Sequence, residues 1–431
     1  PIESFRIQYY LGVDGLSTPM VLLTAILGMV AVFSSWKIEN RVREYFVWLL
    51  VLQTAVLGVF TSLDLILFFL FWELELIPMF FLIAIWGSGR KEYSAMKFLI
   101  FTFMGGALIL IGILAIFFSV HTFDITKIPS EIKTANLILP AGLIFTVLFT
   151  GFAIKLPVWP LHTWLPDAHT DAPTAVSIIL AGVLLKMGSY GMIRLTMGVF
   201  PEIMIDAAGI IATLGVINIL YGAIVTLRQT DLKRLIAFSS ISHMGYILVG
   251  LSSVVGVAGT VSQAGLTGAA MQMFTHGTIT GLLFLLVGLI YEKAHTRYIP
   301  DLGGLAKRMP LVTVSFIVAG LASLGLPGTS GFVSEILIFL GTFPVWQILT
   351  GLSAFGIVIT AGYILWTIQR CMFGPEIDHF KTIQDATRIE MIPVLILVLT
   401  IIFVGIYPTI MTDVFSDGVE PIIELMTIAH N

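Results

Sequence analysis

Two lysines and one glutamate sit where charge is costly. Lys155 (in LFTGFAIKLPVWP), Lys186 (in SIILAGVLLKMGSYG) and Glu73 (in LILFFLFWELELIPMFFLIAIWG) all lie inside apolar stretches. The other Lys and Arg residues fall in polar segments or at the edges of apolar ones. A charge at the centre of a bilayer costs ~2.5–3.5 kcal/mol on insertion scales, so such groups usually serve function. Three of mixed sign point to a path for protons or other ions.

Each has a functional and a plainer reading. Glu73 follows Asp64, where a helix should begin, by nine residues. That places it ~14 Å along the helix, near the midplane of a ~30 Å core. Pro78 cannot donate to the carbonyl of Leu74, which loosens the helix beside the acid. The plainer reading of Glu73 is a packing acid tied to a neighbouring hydroxyl. Glu75 points to a different side of the helix, as a second acid or an interface group. Lys155 precedes a double break at Pro157 and Pro160. Irregular backbone at membrane depth is tolerated only against protein or a water-filled cavity, so Lys155 can meet water and carbonyls there. A carboxylate such as Glu73 beside it would make its charge switchable. The alternative is a lysine snorkelling from a helix end. Lys186 lies too deep to snorkel easily, and Gly182 and Gly188 allow close approach of another helix. Its alternative is pairing with a buried acid purely to fix packing.

His243 (SSISHMGY) and His276 (MQMFTHGTITG) also lie inside apolar segments. An imidazole can pass a proton between its two nitrogens. A lone histidine is often a hydrogen-bonded packing group, but two on neighbouring helices near Gln272 favour a polar axis. Glu335 follows a second break, LGLPGTSGF, and could end the path. His162, Asp167, His169 and Asp171 cluster between prolines, as an uptake funnel or as ordinary loop polarity. No phosphate loop, dinucleotide fingerprint or nucleophile motif is present, which argues against a stand-alone redox or hydrolytic enzyme.

The elements that must hold these residues are helices in a membrane. The chain is 57% hydrophobic and 11% charged, against about 25% charged in soluble domains. Runs this long and continuously apolar read as spanning helices. About twelve such segments are expected, near 15–36, 43–62, 64–87, 95–120, 137–157, 172–194, 204–227, 232–254, 263–291, 310–340, 346–370 and 391–411. The fold class is an all-α, polytopic integral membrane bundle. A net charge of −4 gives no hint of nucleic-acid binding. Cys371 is the single cysteine, so no self-contained iron–sulfur cluster or internal disulfide is expected. No metal or cofactor site is expected on this chain.

The connections alternate in charge. One set, from WKIENRVREY to RCMFGPEIDHFKTIQDATR, carries most of the Lys and Arg. The opposite set, with both termini, carries only Arg6, Lys127, Lys133 and Arg194. The positive-inside rule puts the first set in the cytoplasm or its equivalent. The first residues, PIESFRIQYYLGVDG, carry no signal-peptide pattern, and further N-terminal helices are expected before them. A faint repeat is also visible. Leu156-Pro157 recurs as Leu326-Pro327, 170 residues on, and each lies in a broken hydrophobic segment. The two lie an odd number of helices apart, so a second copy must be inverted. Inverted repeats with matching broken helices are a transporter pattern.

Taken together, LGVDGLSTPMVLLT, FWELELIPMF, KLPVWPLHTWLPDAHTDAPTAVSIILAGVLLKMGSYG, DLKRLIAFSSISHMGY, FTHGTITG and ASLGLPGTSGFVSE resemble the antiporter-like membrane subunits of respiratory complex I, the subunit M (chain 4) type most closely. The resemblance covers nearly the whole chain. It implies one antiporter-like domain over 1–431, built of two inverted five-helix repeats, about 43–194 and 204–370, with flanking helices 15–36 and 391–411. Relatives carry about fourteen helices in full length. It implies Glu73 as the coupling glutamate, Lys155 as its partner on the broken helix, Lys186 as the central lysine, His243 and His276 on the hydrated axis, and Glu335 as the terminal site. It implies proton translocation coupled to redox chemistry in partner subunits, which would hold the iron–sulfur clusters, flavin and quinone-like acceptor. Neighbouring antiporter-like subunits and a lateral helix are the implied partners, in a prokaryotic inner membrane or a thylakoid or mitochondrial one. A cation/proton antiporter without redox partners is the second reading, against which Glu335 weighs because antiporter relatives tend to carry lysine there. A scaffold is the third, and it needs no buried lysines.

Overall fold

The computed structural model describes residues 7–257 and 261–430, so Arg6 and the polar residues at the very start lie outside the described residues. Helices dominate. In chain order they are α1 (Thr18–Ser34), α2 (Val42–Thr61), α3 (Leu65–Leu74), α4 (Leu76–Trp86), α5 (Lys91–Val120), the single turn α6 (Ile128–Glu131), α7 (Ala141–Lys155), α8 (Trp164–Asp171) and α9 (Thr174–Ile179). The second half holds α10 (Leu185–Gly191), α11 (Pro201–Thr226), α12 (Leu232–Leu251), α13 (Gln263–Ala294), α14 (Pro310–Ser323), α15 (Ser330–Thr342), α16 (Gln347–Ile368), α17 (Arg388–Ile406) and α18 (Thr409–His430). Among the described residues, 9 helical stretches are long and apolar enough to cross a membrane, and α1, α7, α14 and α15 are shorter apolar helices.

Three stretches, Thr174–Met197, Leu232–Val255 and Gln263–Ala294, are enclosed along their apolar lengths. The helices around them are half-buried or less, with large apolar side chains such as Leu70, Phe103 and Leu399 on the outside. An apolar exterior surrounds a core that holds lysine and histidine, the arrangement expected when the solvent is lipid.

Local chemistry sets the breaks that matter. Asp64 starts α3, its carboxylate accepting from the N–H groups of Ile66 and Leu67 at 2.9 and 3.0 Å. At Glu75, where α3 gives way to α4, the hydrogen-bond ladder is locally broken while the backbone stays helical (φ −69°, ψ −22°). Pro78 has no N–H for the carbonyl of Leu74, which is the local reason. The predicted breaks after Lys155 and in LGLPGTSGF also form, between α7 and α8 and between α14 and α15. In the second, Gly325 and Gly328 take φ of 72° and 89°, a region open to glycine. The helix carrying Lys186 contains a π-helical stretch, Leu180–Leu184, and a second follows α10 at Met192–Met197. Such stretches concentrate at functional sites.

One element was not anticipated. Beyond the span expected at 391–411, α18 runs to His430 and packs Phe415, Val419, Ile422 and Met426 inward. Asp413, Asp417, Glu420 and Glu424 point out. Its apolar residues are spaced for one helical face rather than run together, so a search for continuous apolar stretches passes over it.

Candidate functional site

Lys155 ends α7 and is 1% exposed. Its ammonium forms an ion pair with the carboxylate of Glu75, which is fully buried. The rings of Trp72 and Phe98 flank the ammonium, with centroids 5.8 and 5.2 Å away. Sequence reasoning expected Glu73 as the partner. Glu73 is instead half-buried, and its Oε1 has no hydrogen-bond partner among the described residues. It lies against Gly106 of α5, where any side chain would collide with it. Two residues apart on a helix, Glu73 and Glu75 leave it on different sides, and it is Glu75 that faces Lys155.

The irregular stretch after Lys155 is held by two residues that sequence reasoning did not single out. Asn218 of α11 accepts from the N–H of Trp159 at 2.7 Å and donates to the carbonyl of Pro157 at 3.2 Å. The indole N–H of Trp164 donates to the carbonyl of Ile154 at 2.9 Å. Backbone groups released by a break must find partners inside the protein. An asparagine in an apolar helix, two segments after the double-proline break, was the available signal.

Lys186 lies beside α7, because Gly188 lets α10 approach so closely that a Cβ there would stand 2.8 Å from the carbonyl oxygen of Phe152. Lys186 is fully buried and donates to the carbonyl of Ala181, within the π-helical stretch. Among the described residues it has no acidic partner; its second contact is Nδ1 of His276, at 2.7 Å. From there the polar groups continue across the core. The rings of His276 and His243 stand 5.5 Å apart, centroid to centroid. Nε2 of His243 lies 3.1 Å from Oγ of Ser323, at the end of α14, and its Nδ1 lies 3.6 Å from Oε1 of Glu335. Gln272, Thr275 and Ser334 complete this pocket, with Ser334 donating to Gln272 at 2.5 Å and standing 2.9 Å from the Thr275 hydroxyl. His243, His276, Gln272, Ser323 and Glu335 surround a small cavity, with room for about one water.

On the Lys- and Arg-rich side, α8 carries the cluster expected in a loop. Asp167 pairs with Lys97 at 2.7 Å and Arg234 at 3.1 Å. Asp171 accepts from Ser94 at 2.6 Å, and Nε2 of His162 lies 3.2 Å from the hydroxyl of Tyr221. His169 is fully buried, stacked on Phe284, with no partner on either ring nitrogen among the described residues. A third buried lysine stands nearby. Lys233 is 3% exposed and donates to the carbonyl of Ala172 at 2.6 Å. In sequence it reads as part of the polar connection LRQTDLKR, which hid it. Among the described residues, no group of His, Cys, Asp or Glu side chains could hold a metal ion.

The structure therefore gathers Lys186, His276, His243 and Glu335 into one buried line and puts Lys155 with Glu75 at the neighbouring helix. No hydrogen bond joins the two groups among the described residues. Buried polar atoms are ordinarily paired or hydrated. Here atoms without a protein partner recur on Glu73, Glu75, His169, His276 and Glu335.

Comparison with known proteins places this arrangement. Residues 62–360 match the family described as NADH:quinone oxidoreductase/Mrp antiporter, TM. The chain is 42% identical to NADH-quinone oxidoreductase subunit M of Rhodobacter capsulatus, over 97% of this chain and 82% of that one. It is 38% identical to F(420)H(2) dehydrogenase subunit M of Methanosarcina mazei, over 98% and 86%. A chain of respiratory complex I from Thermus thermophilus superposes with a TM-score of 0.88 at 27% identity, covering 100% of this chain and 88% of that one. The chain belongs to the NADH:quinone oxidoreductase/Mrp antiporter family, as an integral, multi-pass membrane protein.

Proposed function

We propose that this chain is a proton-translocating membrane subunit of a complex I-like oxidoreductase, with electron transfer carried by partner subunits. The observation that carries this reading is the buried line from Lys186 through His276 and His243 to Glu335. Each member can bind or release a proton, and the 3.6 Å from His243 to Glu335 closes to a direct hydrogen bond with a small side-chain movement. Protons enter from the Lys- and Arg-rich side, past α8, His169 and Lys233, and reach Lys186. A change of charge at Glu73 and Lys155 drives the transfer onward to Glu335. The chain holds about twelve spans in two inverted repeats, 43–194 and 204–370, a division supported by the matching breaks after Lys155 and Ser323.

Glu73 also supports the partnership. A half-buried acid at membrane depth would be costly against lipid. A neighbouring membrane-arm subunit is the expected cover, and it is the route by which redox events reach this chain. The iron–sulfur clusters, flavin and quinone-like acceptor belong to those other subunits.

The test is donor-driven proton uptake by vesicles carrying the whole assembly, with Lys186 native and as Lys186→Ala. The expected result is an assembled complex that has lost this subunit's share of pumping. Unchanged proton-to-electron stoichiometry would make the chain a spacer.

A further inference from the structure

Two acids, Glu73 and Glu75, serve one lysine. Lys155 is ion-paired with Glu75 and is near enough to Glu73 to act on it electrostatically. The other titratable groups are few. Lys155 comes from α7, Glu75 acts on Glu73, and α5 brings Gly106 against Glu73 and the ring of Phe98 against the ammonium. One buried cation can compensate one carboxylate. A second carboxylate beside it in low dielectric is retained at least cost by taking up a proton, so the three groups together hold one exchangeable proton.

The two acids differ in position. Glu75 is fully buried, faces the lysine, and has Oε2 free of any partner among the described residues. Glu73 is half-buried on the outer side, with its Oε1 free. Two residues apart on a backbone that stays helical at Glu75 (φ −69°, ψ −22°), the two carboxylates leave the helix on different sides.

We infer that Glu75 is the inner, resting partner of Lys155, and that Lys155 alternates between Glu75 and the outer acid Glu73. In the state described here Glu73 carries the proton and Glu75 is the carboxylate paired with Lys155. When the proton passes from Glu73 to Glu75, Glu73 becomes the carboxylate and Lys155 swings to it. No proton is gained or lost by the cluster in that step. Glu75 is thus a positioning residue for Lys155, and Glu73 is the acid that a neighbouring subunit can address. The inference rests on the proton-translocation reading.

The experiment compares proton uptake, electron transfer and the pH profile of uptake in the whole assembly for Glu75→Gln, Glu75→Asp and Lys186→Ala. Without Glu75 the lysine has only Glu73, which must then stay ionised, and no exchangeable proton remains. Glu75→Gln should cut proton uptake by roughly tenfold or more, as loss of one group from a proton-transfer path does. Glu75→Asp keeps the charge at a shorter reach, so uptake should return with a displaced pH profile. Wild-type uptake with an unshifted profile in Glu75→Gln, while Lys186→Ala is inactive, overturns the role of Glu75 and leaves translocation standing. Wild-type pumping in Lys186→Ala removes the translocation reading itself. If Glu75→Gln does not assemble, Glu75→Asp decides: a displaced profile supports the alternation, and a wild-type rate with an unshifted profile overturns it.

Discussion

The ammonium of Lys186 stands 2.7 Å from Nδ1 of His276, and no carboxylate faces it among the described residues. A charged lysine makes Nδ1 the acceptor and leaves the ring proton on Nε2. The pair is therefore set for transfer rather than for an ion pair that would hold the charge still. Replacing an uncompensated buried charge by an apolar side chain of similar size is neutral or stabilising. Lys186→Met should accordingly leave assembly and thermal stability of the complex intact or raised, while proton uptake falls by roughly tenfold or more. The decisive comparison is thermal inactivation against proton uptake on one preparation.

The carboxylate of Glu73 lies in the space left by Gly106, where an added methyl would collide with Oε1. Gly106→Ala adds no charge and favours the helix by about 1 kcal/mol. It should nonetheless displace Glu73 and lower proton uptake, by roughly threefold to tenfold, with the complex assembled. Glu73→Gln combined with Gly106→Ala should be no worse than Glu73→Gln alone. Additive losses in that double variant would mean that Gly106 acts through helix packing and not through the acid.

How far the sequence could be read differs from residue to residue. Lys186 was legible because a lysine amid leucine and valine has no edge to snorkel to. The breaks after Lys155 and Ser323 were legible from proline and glycine. The partner of Lys155 was not, since Glu73 and Glu75 leave their helix on different sides and the sequence does not say which side faces α7. Hydropathy could not separate enclosed helices from lipid-facing ones, because both are apolar. That is why Lys233, second in α12, passed for a connection residue although its helix is buried throughout. The acidic spacing of α18 hid a helix for the opposite reason.

Lys233 has the carbonyl of Ala172 as its partner and stands where α12 meets the end of α8. It lies on the Lys- and Arg-rich side, next to Arg234, which pairs with Asp167. Lys233→Met should slow proton uptake by roughly tenfold while Lys233→Arg, which keeps a charge but cannot release its proton, should not restore it. Full activity in the arginine variant would reduce Lys233 to a fixed charge that anchors α8.

Asn218 joins the two halves of the chain. It sits on α11, fully buried, and both holds the N–H of Trp159 and donates to the carbonyl of Pro157 in the break that follows Lys155. Asn218→Leu fits the space but leaves that N–H and that carbonyl without partners. Each stranded buried group costs about 1–3 kcal/mol. The complex should inactivate at a lower temperature, and Lys155 should be less firmly set against Glu75. Asn218→Asp accepts from Trp159 but cannot donate to Pro157 unless protonated, so its thermal stability should fall as the pH rises, while that of Asn218→Leu stays flat. A melting series over pH with the two variants distinguishes loss of the clamp from loss of packing. Equal stability of wild type and Asn218→Leu would show that the break needs no clamp.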